Sequence, residues 1–105
     1  MIRHVVLARF PAEATPAAIA ALFEELSDLR AELPGMLSFE GGVNVSPEGL
    51  ARGFTHAITV DFVDAAARDA YLVHPGHKAA GARLIAALEG GLEGILVVDF
   101  EARPS

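Results

Sequence analysis

Residues Ile2 to Phe10 alternate in a way that limits what the chain can become, because both alternating sets carry apolar side chains. Ile2, His4, Val6, Ala8 and Phe10 fall on one face of an extended strand, and Arg3, Val5, Leu7 and Arg9 on the other. Such a strand needs cover on both sides. The pattern returns in Phe54 to Phe62, with Phe54, His56, Ile58, Val60 and Phe62 opposite Thr55, Ala57, Thr59 and Asp61. It returns again in Leu92 to Glu101, where Ile95, Val97 and Asp99 oppose Leu96, Val98 and Phe100. Met36 to Ser46 reads as a further strand, interrupted at Gly41-Gly42, where a bulge or bend is expected.

Between these strands lie helix signals. Thr15 is an N-cap with Pro16 at the first helical position. Ile19, Leu22, Phe23, Leu26, Leu29 and Leu33 keep the spacing of one buried stripe before Pro34-Gly35 stops it. Pro47 to Gly53 is a polar loop, and Asp64 caps a helix over Ala65 to Val73. A residue before proline is pushed out of the helical region, whereas proline itself suits the first helical position. One helix therefore ends near His74 and another opens at Pro75, with Leu84, Ile85 and Leu88 as its stripe and Gly90-Gly91 as its stop.

The order is β-α-β-β-α-α-β: one α+β domain over residues 1–105, ferredoxin-like, with its second helix split. The first and third strands are expected side by side and parallel, with His4 and His56 as neighbours. Helices cover one face of such a sheet. The other, carrying Val5, Leu7, Ala57, Thr59, Leu96, Val98 and Phe100, calls for a second copy, making a homodimer.

The apolar content of 52% contains no run near the roughly 20 residues of a membrane span. The first ten residues lack the apolar block of a signal peptide, so a cytoplasmic protein is expected. A net charge of -6 with scattered Lys and Arg argues against nucleic acid as a partner. Absence of cysteine removes disulfides, thiolate nucleophiles and Cys-based zinc sites. His74 and His77 are spaced like metal ligands, but no carboxylate cluster completes a site, so no metal is expected. Gly90-Gly91 lacks the spacing of a nucleotide loop, and no cofactor is implied.

Chemistry concentrates in Tyr71-Leu72-Val73-His74-Pro75-Gly76-His77. His77 falls in the first turn of the helix opened by Pro75, where free backbone N–H groups and the helix dipole disfavour imidazolium. A neutral, proton-accepting ring is expected there. His74 reads as a cap. Taken alone, His4 and His56 are as well explained as buried neutral imidazoles, Tyr71 as a core ring and Asp99 as a strand-end charge.

The opening Ile2-Arg3-His4-Val5-Val6-Leu7, the strand entry Gly53-Phe54-Thr55-His56, the break Tyr71-x-x-His74-Pro75-x-His77 and the closing Val98-Asp99-Phe100 together resemble the stress-responsive α/β barrel (Dabb) family. The resemblance implies a dimeric α/β barrel. It is greatest to the family's plant polyketide cyclases, which close a ring by aldol condensation, and it implies Tyr71 and His77 as a catalytic pair with Asp99 orienting His77. It also implies His4 and His56 as pocket residues and Val6, Ala8, Leu22, Phe23, Leu26, Ile58 and Val60 as the wall. The ligand implied is a small apolar compound with a carbonyl group. Two functions are consistent with this set: a cofactor-independent cyclase, lyase or isomerase working by acid–base catalysis, or a binding protein that holds such a ligand unchanged.

Overall fold

The computed structural model describes residues 1–103. The chain forms β1 (Ile2–Ala8), α1 (Pro16–Ser27), β2 (Met36–Val43), β3 (His56–Phe62), α2 (Ala65–Val73), α3 (Pro75–Ala87) and β4 (Ile95–Glu101). Short 3-10 turns at Asp28–Ala31 and Gly91–Gly94 follow α1 and precede β4. The last strand thus begins at Ile95, and Leu92 belongs to the turn before it.

The four strands lie in the order β2-β3-β1-β4, every neighbouring pair antiparallel. β1 and β3 are neighbours as expected, but the expectation that they run parallel is corrected. The crossover through α1 brings β2 back in the direction of β1, and the connection after β2 then reverses the chain, so β3 must oppose β1. Register follows from direction. His4 pairs with Val60 and His56 with Ala8, so the two histidines share a face yet stand four residues apart along β1. At about 3.3 Å per residue that is roughly 13 Å, and they are not neighbours.

The glycine pair in β2 does not form a bulge. Gly41 and Gly42 stay in register with Ile58 and Ala57, and the irregularity lies instead between Met36 and Ser38. Gly41 answers to packing, because a Cβ there would come 2.8 Å from Cδ2 of Phe23.

Each helix start has its cap. Thr15 Oγ1 accepts the Ala18 N–H at 3.2 Å and Asp64 Oδ1 the Ala67 N–H at 2.8 Å. His74 leaves α2 in an extended conformation (φ -64°, ψ 132°) and caps α3, its Nδ1 accepting the Gly76 N–H at 2.9 Å. The helices cover the face of the sheet that carries His4, Val6, Ile58, Val60 and Phe62, all buried. On the uncovered face Val5, Leu7, Ala57 and Thr59 are half-buried, while Leu96, Val98 and Phe100 are exposed. Among the described residues no helix is long and apolar enough to cross a membrane.

Candidate active site

His4 on β1 and Asp99 on β4 are cross-strand partners on the helix-covered face. His4 Nδ1 lies 2.7 Å from Asp99 Oδ1, and Asp99 Oδ2 accepts from Arg68 Nη1 of α2 at 2.9 Å. Arg68 Nε in turn donates to Asp69 Oδ1 at 2.9 Å. Burial alone would raise the pKa of Asp99, but hydrogen bonds from Arg68 and His4 outweigh it and hold the carboxyl below its usual range. An ionised carboxylate only accepts, so the proton of a neutral His4 ring sits on Nδ1 and Nε2 carries the lone pair. Among the described residues nothing hydrogen-bonds to Nε2.

Tyr71 on α2 is buried between rings, with its centroid 6.0 Å from that of His4, 5.1 Å from Phe62 and 4.3 Å from His77. Burial pushes its pKa up to about 12, which keeps the phenol protonated at neutral pH. His77 occupies the first turn of α3. Burial lowers its pKa, the His4 and His74 rings push the same way, and the Leu72 carbonyl opposes them. The imidazole is neutral, and its buried Nδ1 has no hydrogen-bond partner among the described residues.

These three side chains form the polar end of a cavity of about 280 Å³. Val6, Leu26, Ile58 and Val60 continue its wall on the sheet and α1. The rest comes from Leu72 of α2, Gly81, Leu84 and Ile85 of α3, then Leu92, Ile95 and Val97, of which Leu84 and Ile85 were expected as the apolar stripe of α3 and Ile95 and Val97 on the strand face of Asp99. Leu92, in the turn before β4, and Val97, on that edge strand, are 72% and 51% exposed although they line it.

Several expected site residues lie elsewhere. His56 is not on the cavity: its ring packs 5.0 Å from Phe10 and 6.0 Å from Phe23, its Nδ1 meets Thr55 Oγ1 at 2.8 Å, and burial lowers its pKa. Ala8, its cross-strand partner, stays at that end, as does Phe23, which packs on Phe10 and Phe39. Leu22 packs against the core but not on the cavity. Asp99, expected beside His77, hydrogen-bonds to His4 instead, because β4 pairs with β1 and brings the two into register. Arg68 was missed; the one signal for it is its position three residues before Tyr71, on the same helix face. Among the described residues no group of His, Asp and Glu is placed to hold a metal ion.

One helical layer on an antiparallel sheet, with a cavity between them, defines a ferredoxin-like α+β protomer. Residues 2–102 match the stress responsive A/B barrel domain (Dabb) family, and the chain belongs to it. A stress-response A/B barrel domain-containing protein of Arabidopsis thaliana is 30% identical over 100 residues, covering 95% of this chain and 88% of that protein. A dimeric ferredoxin-like protein of unknown function from Jannaschia sp. CCS1 superposes with a TM-score of 0.88 at 37% identity, covering 96% of this chain and 98% of the other. The hydroxynitrile lyase of Passiflora edulis shares the fold, with a TM-score of 0.83 at 23% identity over 99% of this chain and 94% of its own.

Proposed function

We propose that this chain is a homodimeric small-molecule protein whose pocket carries out acid–base chemistry next to a carbonyl group of an apolar ligand. One observation carries the reading: two imidazoles and a protonated phenol close one end of a cavity whose remaining wall is apolar. A carbonyl oxygen at that end takes a hydrogen bond from Tyr71 while a ring nitrogen removes a proton from the adjacent carbon. Aldol-type cyclisation and isomerisation begin with this step; carbon–carbon lysis uses the same groups in reverse, with the base taking a hydroxyl proton as the carbonyl forms and the carbon–carbon bond breaks, and none requires a redox group. A hydroxynitrile lyase of Passiflora edulis has the same fold, which is consistent with lyase chemistry on this scaffold.

The dimer reading rests on the half-apolar outer face of the sheet and on the dimeric relative from Jannaschia. A monomer by light scattering at micromolar concentration would count against it. The apolar wall also suits a protein that binds its ligand without turning it over. Screening thioesters, β-dicarbonyls and lactones, alongside mass spectrometry of any co-purified compound, separates the two. Turnover that falls roughly 10²- to 10³-fold in Tyr71→Phe with binding retained is the expected result. Tight binding with no turnover across the panel would replace catalysis with the binding reading.

A further inference from the structure

We infer that His4, and not His77, is the base of this pocket, and that Asp99 and Arg68 are its positioning residues. The inference rests on the acid–base reading above and assigns its central step. His4 and Asp99 are fixed by backbone register, and their side chains meet at 2.7 Å on the face the helices cover. Arg68 reaches across from α2 to hold the second oxygen of the same carboxylate at 2.9 Å. Three elements thus fix one imidazole in one tautomer, with Nδ1–H committed to Asp99 and the Nε2 lone pair left over.

Charge decides between the two histidines. When Nε2 of His4 takes a proton, the resulting imidazolium faces an ionised carboxylate at hydrogen-bond distance. Among the described residues His77 has no carboxylate partner, only the Leu72 carbonyl, which favours its protonated form but carries no charge. Its Nδ1 is buried without a partner among the described residues, and it sits at the positive end of α3. Its ring instead packs at 4.3 Å on Tyr71, the group that meets the carbonyl oxygen. In the step itself, His4 Nε2 forms a bond to the proton leaving carbon. The C–H pair becomes the carbon–carbon double bond of an enolate, and the carbonyl π pair moves to oxygen, which Tyr71 stabilises. The proton then returns from Nε2 to product.

The test uses 5-nitrobenzisoxazole, a neutral aromatic that opens when a base removes the one C–H proton of its isoxazole ring: that electron pair forms the nitrile and the N–O bond breaks to a coloured phenolate. The wild-type protein is expected to accelerate opening over buffer. His4→Gln, checked for fold by circular dichroism, should lose about 10²-fold or more in kcat. Asp99→Asn, on the half-exposed edge strand, should lower kcat with KM little changed, as should Arg68→Met, with partial recovery in Arg68→Lys. His77→Ala should alter KM more than kcat. Nitrogen-15 spectra of the wild-type imidazoles should show His4 in the Nδ1–H tautomer. An Nε2–H tautomer at His4, or greater loss of kcat in His77→Ala than in His4→Gln, overturns the assignment while leaving an acid–base pocket. A wild-type protein that binds the probe and does not open it overturns both.

Discussion

The ring of Phe23 in α1 lies where a side chain on Gly41 would stand, with Cδ2 and Cε2 only 2.8 and 3.0 Å from the position of a Cβ. Helix and sheet approach each other here as closely as glycine permits. Gly41→Ala should therefore destabilise the fold by about 1 to 3 kcal/mol through overpacking. Urea unfolding of Gly41→Ala and of Gly41→Ala with Phe23→Leu checks this; the second change is expected to recover much of the loss.

Gly81 presents the opposite case. It lies within α3 and lines the cavity, and a Cβ there meets nothing within 4 Å. Alanine is the better helix former by roughly 0.5 to 1 kcal/mol, so Gly81→Ala should raise the unfolding midpoint. Gly81→Leu should fold and lose affinity for any ligand that fills the pocket, as titration calorimetry with a co-purified compound or 5-nitrobenzisoxazole would show.

His74 caps α3 through Nδ1, and its Nε2 lies 3.6 Å from Glu32 Oε1. His74→Ala is expected to cost about 1 kcal/mol, the usual value of a lost N-cap. His74→Asn or His74→Asp should restore most of it, measured by thermal unfolding. A loss that neither substitution repairs would show that the ring contributes by packing.

Burial holds the imidazoles of His56 and His77 below their ordinary pKa of 6.5. Between those depressed values and about 6.5 the unfolded chain binds more protons than the folded one, so stability rises with pH across that window and is lost as pH falls through it. Denaturant midpoints should be level above about pH 7 and decline below 6.5, with a shallower decline in His56→Gln and in His77→Gln. Two carboxylates act lower. The Arg3 hydrogen bonds lower the pKa of Asp61, and for Asp99 hydrogen bonds outweigh burial to the same effect. Their contribution is complete above the ordinary carboxylate value of 3.8 and disappears only as pH falls below it.

The element order and the three helix starts were legible because each has a local cause: alternation for a strand, an oxygen or imidazole acceptor for a cap, proline for the break at His74. Alternation also put His4 and His56 on one face. It says nothing of position along the strand, which is set by register, and register placed His56 with Phe10 and Phe23 and far from His4. The same limit hid the partner of Asp99: only the pairing of β4 with β1 brings it opposite His4. Gly41-Gly42 suggested a bulge because a sequence cannot tell a glycine kept for its backbone from one kept for its neighbour's ring. Arg68 was passed over because a charged residue on a helix is ordinarily a solvated one.

The break at His74-Pro75 makes α3 a lever with its fulcrum beside the polar groups. At about 1.5 Å per residue, His77 stands roughly 3 Å along the lever from Pro75 and Ile85 roughly 15 Å. A slight swing of α3 scarcely moves the imidazole but carries Gly81, Leu84 and Ile85 toward or away from the sheet. Descendants of one such chain can thus change the bore of the pocket for ligands of different girth while the proton-handling end stays where it was.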